Sequence, residues 1–256
     1  MNDNPLLNEV SDREVELLGT KLCKCTIEEG VNLIDDAISS GGKYRVIIRN
    51  AACINLSFAN EEYRDAVAGY HMRFVDGIGV YLAGKILKGI GFPDLGGNPF
   101  GRAILQRCAE KGYRVYLLGA KQEVVAKAAE NFQKWHHGLK IAGYHHGYFD
   151  LENCGDIIEE INKTEPDLVM ACFGKPEEVF WIARNFDSLR AKVMIPMGGF
   201  FDFQSGHTRR APEWILKMRF EWLFRLLIEP RRLWRRYIIG NTIFMTRVFR
   251  YKLFGK

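Results

Sequence analysis

Four short turns hold the residues best suited to chemistry in this chain. Phe74-Val75-Asp76-Gly77-Ile78-Gly79 puts an acid directly behind an apolar run and then two glycines, so a ligand can approach the backbone closely as a helix begins. Tyr116-Leu117-Leu118-Gly119-Ala120-Lys121, Cys172-Phe173-Gly174-Lys175-Pro176 and Met197-Gly198-Gly199-Phe200-Phe201-Asp202 repeat the scheme of strand, glycine and helix. Several such turns on one sheet edge suit a nucleotide. Each alone is ordinary turn chemistry, and none matches G-x-G-x-x-G or the Walker pattern. Asp76 also has a structural reading, as the N-cap of a helix beginning at Gly77. Metal chemistry finds little support. The six cysteines at 23, 25, 53, 108, 154 and 172 form no C-x-x-C pair and read as reduced, buried thiols. His145 and His146, adjacent on a strand, would point to opposite faces.

Those turns need a sheet to hold them on one edge. Short apolar runs predict strands over Tyr44 to Arg49, Met72 to Val75, Arg114 to Leu118, Lys140 to Gly143, Asp167 to Phe173 and Lys192 to Met197, with amphipathic helices between most of them. The helix from about Glu28 to Ser39 follows Thr26 and Glu29 in capping-box spacing. Further helices are expected over Glu123 to Trp135 and Pro176 to Asp187. This alternation predicts an α/β, Rossmann-like, doubly wound and mainly parallel sheet, in which ligands collect beyond the carboxyl ends of the strands.

The last fifty residues differ from the rest. From His207 to Lys256 there are thirteen Lys or Arg against three acidic residues, a balance of +10, so residues 1–206 carry −5 within a total of +5. Trp214, Phe220, Trp222, Trp234, Tyr237 and Phe249 alternate with these charges, a pattern suited to a helix on an anionic membrane surface. An ordinary packed pair of helices with solvated arginines would read the same way. The expected organisation is a body over 1–206 and a basic, amphipathic helical appendage over 207–256. In Glu213 to Ile228 the charges Glu213, Lys217, Glu221 and Arg225 recur every four positions, predicting one helix that Pro230 then ends. The acidic start lacks a secretory signal, and no apolar run reaches the roughly 18 to 20 residues of a spanning helix. The expected location is therefore the cytoplasm, peripheral on the inner face of the plasma membrane. The acidic body and the lack of a recognisable nucleic-acid motif argue against nucleic acid as the partner.

Read in order, Asp76-Gly77-Ile78-Gly79, Leu117-Leu118-Gly119, Gly143-Tyr144-His145-His146-Gly147-Tyr148-Phe149, Phe173-Gly174-x-Pro176, Gly198-Gly199-x-Phe201-Asp202, Arg210-Ala211-Pro212, Glu229-Pro230-x-Arg232-Leu233 and Arg236-Tyr237-x-x-Gly240-Asn241 resemble the WecG/TagA/CpsF glycosyltransferase family. The resemblance implies a bacterial, inverting enzyme that needs no metal or other cofactor. It would move N-acetylmannosamine, its uronic acid or glucose from a UDP donor to a saccharide on undecaprenyl diphosphate, as in exopolysaccharide synthesis. It also implies that Asp76 is the catalytic base, that Asn50, Gly77, Gly119, Gly174, Glu178, Gly198, Gly199 and Asp202 bind substrate, and that the appendage supplies Arg225, Arg232 and Arg235 to the diphosphate.

The sequence departs from the family pattern at three places. Ile48 stands where a threonine is common, Glu178 replaces a common glutamine, and Gly97-Asn98-Pro99 replaces a Gly-x-Asp. A carboxylate in place of an amide adds charge and removes a donor, which bears on sugar choice. The missing threonine also leaves open a non-catalytic, membrane-surface homologue that binds nucleotide sugar. Homo-oligomerisation is left open as well.

Overall fold

The computed structural model describes residues 4–218 and 220–255; the Lys217 side chain, expected in the charged row above, lies outside what is described. A hairpin of β1 (Glu14–Leu17) and β2 (Thr20–Cys23) precedes the sheet strands β3 (Tyr44–Arg49), β4 (Met72–Val75), β5 (Arg114–Gly119), β6 (Lys140–His145), β7 (Leu168–Cys172) and β8 (Val193–Pro196). The six-stranded sheet has the order β4-β3-β8-β7-β5-β6, and every pairing in it is parallel. All six expected strands form, with ends shifted by no more than the uncertainty of a local reading.

Alternate residues of each strand feed two apolar layers. Val46, Ile48, Val115, Leu117, Met170 and Ile195 pack under the helices Ile27–Ser39, Gly97–Lys111 and Gln122–Trp135. Ile47, Tyr116, Leu118, Val169 and Met194 pack under Glu61–Ala68, Gly155–Lys163 and Glu177–Asn185. Strands buried on both faces explain why these runs are continuously apolar. The Thr26 capping box is present, with the Glu29 carboxylate accepting from the Thr26 amide at 2.8 Å and Thr26 Oγ1 accepting from the Glu29 amide at 3.3 Å.

The basic segment is more broken than its charge spacing suggests. Instead of one helix over 213–228 there are two, Glu213–Lys217, which ends with Met218 as its C-cap, and Glu221–Ile228, which starts after Phe220 as its N-cap. Pro230 then opens the helix Pro230–Trp234 at its first position, and a π-helical turn, Arg235–Ile239, leads into the last helix, Gly240–Phe254. That last helix is part of a core. Phe244 and Val248 are fully buried among Ala51, Ile54, Val80 and Ala83 of the helices Ala51–Ala59 and Ile78–Lys88. Burying side chains of this size stabilises by about 1.5–3 kcal/mol each relative to exposure. The Asn55 amide adds a hydrogen bond by donating to the Gly240 carbonyl at 2.7 Å. Among the described residues no helix is long and apolar enough to cross a membrane.

Candidate active site

A cleft of about 580 Å³ opens at the carboxyl ends of β3, β4, β7 and β8, and the basic segment closes its far side. Parallel pairing fixes its centre. Arg49 lies opposite Val75, so the next residues of the two strands, Asn50 and Asp76, emerge side by side, and the Asp76 amide donates to the Arg49 carbonyl at 2.9 Å. Asn50 is oriented by its own helix: its Oδ1 caps Ala51–Ala59 by accepting from the Cys53 amide at 3.1 Å, which leaves its amide for the Asp76 carboxyl.

Asp76 is not a helix cap. The cap position of Ile78–Lys88 is Gly77, whose φ of +88° disfavours any side chain, and the Gly77 amide donates to Asp94 at 2.7 Å instead. The Asp76 carboxyl is therefore free to face the cleft. Burial, with Asp94 and Glu221 facing it, pushes its pKa up to about 6, while Lys175 and Asn50 act the other way. A carboxyl poised there is ionised at neutral pH and basic enough to take a proton.

The opposite wall is cationic. Arg225, Arg232 and Arg236 all line the cleft. The Arg225 guanidinium stacks over Phe203 at 5.0 Å, and its Nε is buried without a hydrogen-bond partner, a donor suited to an anion brought into the cleft. Arg232 is braced by Glu229, whose carboxylate accepts from its Nε at 2.8 Å. Trp222 and Tyr237, in edge contact at 6.1 Å, complete this side.

The structure gathers Asp76, Asn50, Gly77, Gly174, Gly198, Gly199, Asp202, Arg225 and Arg232 around one space. Three of the expected substrate contacts lie elsewhere. Gly119 pairs with Cys172 at the ends of the parallel strands β5 and β7, so closely that a side chain would strike the Cys172 backbone, which explains its glycine by packing. Glu178 is fully buried behind the cleft, where it accepts from the amides of Gly174 at 3.1 Å and Gly198 at 3.0 Å and so holds two of the turns together. Burial pushes the Glu178 carboxyl up to about 7, against Lys175 and these amides. Arg235 stacks on Trp234 and does not line the cleft, whereas its neighbour Arg236 does. Lys175, Asp94 and Arg236 were not singled out for the site by sequence alone. Lys175 and Arg236 had a signal in their motifs, and Asp94, in a loop, had none.

An anionic proton acceptor facing a cluster of guanidiniums can activate a hydroxyl on one side while neutralising a leaving group on the other. Fold and cleft together define a Rossmann-like transferase. The chain belongs to the glycosyl transferase WecG/TagA/CpsF family, whose profile matches residues 15–256, and it is thus a glycosyltransferase. Among its relatives are two proteins named N-acetylglucosaminyldiphosphoundecaprenol N-acetyl-beta-D-mannosaminyltransferase. That of Bacillus spizizenii is 30% identical over 179 residues, covering 70% of this chain and 68% of the relative. That of Staphylococcus aureus is 27% identical over 245 residues, covering 93% of each.

Proposed function

We propose that the protein is an inverting glycosyltransferase that moves a hexose-type sugar from a UDP donor to a saccharide carried on undecaprenyl diphosphate. N-acetylmannosamine, its uronic acid and glucose are the candidate sugars. The observation that carries this reading is the placement of Asp76 across one cleft from Arg225, Arg232 and Arg236. The acceptor hydroxyl attacks the anomeric carbon from the face opposite UDP. As that bond forms, Asp76 takes the hydroxyl proton, the bond from the anomeric carbon to the phosphate oxygen breaks, and UDP departs with the electron pair. Its added charge is met by the arginines. A base must be unprotonated to act, so kcat/KM is expected to fall as pH drops through about 6, the value at which Asp76 takes up its proton.

Incubation with a panel of UDP-sugars and a short-chain lipid-diphosphate saccharide tests the reading directly by product mass. No product with any of these donors would refute it. Because guanidiniums already serve the leaving diphosphate, turnover is expected to survive EDTA; complete loss that Mg²⁺ or Mn²⁺ reverses would remove the arginines from that task.

The same reading places the enzyme on the inner face of the plasma membrane. Trp214 is 62% exposed and Leu227 74% exposed, and Met218, Phe220, Ile238 and Ile239 are also open to solvent beside Arg231 and Arg235. Rings and aliphatic side chains flanked by cations match an anionic lipid surface. Flotation with phosphatidylglycerol vesicles is expected to carry the full chain at low salt and to release it as salt rises, whereas equal binding to neutral vesicles at high salt would contradict the electrostatic part.

A further inference from the structure

The cations of the cleft divide by origin. Arg225, Arg232 and Arg236 come from the basic C-terminal segment, while Lys175 is the cation that the α/β body supplies among the described lining residues. Lys175 leaves β7 through a turn in which Gly174 takes a φ of +100°, and it crosses to β3, where its Nζ donates to the Ile48 carbonyl at 2.9 Å. That carbonyl lies two residues before Asn50, on the strand pair that ends in Asn50 and Asp76. Ile48 has no side-chain hydroxyl to offer there, so its main chain carries the polar contact.

Holding a long lysine side chain in one geometry costs rotamer entropy, which its hydrogen bond to a single carbonyl only partly offsets. Charge supplies the rest. Lys175 shares the cleft lining with Asp76, and buried Glu178 accepts from the amide of the preceding Gly174; the ammonium draws both carboxyls towards their anionic forms. Among the other charges, Asp94, from the loop after Ile78–Lys88, and Glu221, from Glu221–Ile228, repel Asp76, while Arg225, Arg232 and Arg236 stand across the cleft from it.

We propose that Lys175 is a positioning residue for the transfer: its ammonium, fixed on the end of β3, keeps the Asp76 carboxyl anionic among neighbouring carboxylates. The proposal rests on Asp76 being the base. Without this charge the repulsion from Asp94 and Glu221 would weigh more heavily against the Asn50 amide and the arginines across the cleft, and at mildly acidic pH more of Asp76 would hold its proton and could not accept another.

The test uses the full chain and three variants. Lys175→Gln removes the charge but keeps a donor for the Ile48 carbonyl, Lys175→Met is a second neutral variant should Gln not fold, and Lys175→Arg keeps the charge. Two quantities are read: kcat/KM from about pH 5 to about pH 9 with the UDP-sugar and soluble acceptor the wild type uses, and the carbon-13 titration of the Asp76 carboxyl in the free enzyme, assigned by its loss in Asp76→Asn. Direct detection of Asp76 matters because Glu178, pushed up to about 7, titrates in the same range. In the neutral variants the acid limb and the Asp76 titration are expected to move up together by about one pH unit, a roughly tenfold loss of kcat/KM below the limb that narrows at alkaline pH. Lys175→Arg should retain the wild-type limb. An unmoved Asp76 titration would overturn the proposal, as would a loss equal at every pH or confined to KM, which would make Lys175 a brace or a substrate contact. If Asp76→Asn is fully active, the base assignment fails instead, and the Asp76 titration still reports whether Lys175 acts on that carboxyl.

Discussion

Asp76→Asn is expected to lower kcat by about 10² to 10⁴ while leaving the fold and UDP binding intact, the usual range for loss of a general base. The amide is close to the carboxyl in shape but cannot accept the hydroxyl proton. Its neighbours favour a clean result. Asp76 caps no helix, since Gly77 is bound by Asp94, and the Asn50 amide can still donate to the side-chain oxygen of an Asn. Removing the buried charge also removes repulsion with Asp94 and Glu221, so thermal stability should not fall. Near-normal turnover in the purified variant would take Asp76 out of the reaction. A dead enzyme that has also lost UDP binding would point to a damaged cleft.

Substituting Arg225 and Arg232 by Ala should each cost about 10² to 10³ in kcat, even with a water-soluble acceptor that makes membrane binding unnecessary. That control separates two tasks of the basic segment. An anchor is dispensable once the acceptor is soluble, whereas a guanidinium on the departing diphosphate is not. Arg225 should give the sharper loss, because its buried Nε has no protein partner and its plane is already set against Phe203. The double variant is expected to fall short of the product of the two losses, since both groups would serve one developing charge. Arg235→Ala, outside the cleft, is the internal comparison and should spare turnover on the soluble acceptor. Full activity of the double variant on that acceptor would confine the segment to the membrane.

Much of this architecture was legible in the chain. Tyr44–Arg49 and Met72–Val75 announce themselves because a parallel strand covered on both faces must be apolar at nearly every position, and the Thr26 cap is written within four residues. The hairpin β1–β2 was not visible. Its turn is Leu18-Gly19 with both residues at positive φ, the geometry usually marked by Asn-Gly, and a leucine there gives no signal. The break between Glu213–Lys217 and Glu221–Ile228 was also hidden, because a four-residue spacing of charges continues straight across it. In the cleft, an acid behind a strand could be read locally. Lys175 could not be placed, because its partner carbonyl is 127 positions away in sequence. Gly119 and Glu178 were read as substrate contacts because they sit in the right motifs, yet one meets a neighbouring strand and the other joins two turns from behind. A motif marks a neighbourhood in the fold, and which side of the wall a residue takes is settled by packing.

The burial of Phe244 and Val248 against Ala51–Ala59 and Ile78–Lys88 has a consequence for how the protein is made. The first of these helices is capped by Asn50, whose side-chain amide bonds the Asp76 carboxyl. Synthesis runs from the amino end, so Ala51, Ile54, Val80 and Ala83 leave the ribosome long before the helix that covers them. The nascent chain must carry this apolar surface uncovered, a natural holding point for a chaperone. It also follows that the cleft, whose lining includes Arg225, Arg232, Arg236 and Asn241, is complete only once the C-terminal segment has docked, so a glycosyltransferase of this build closes its own site in a late step of its birth.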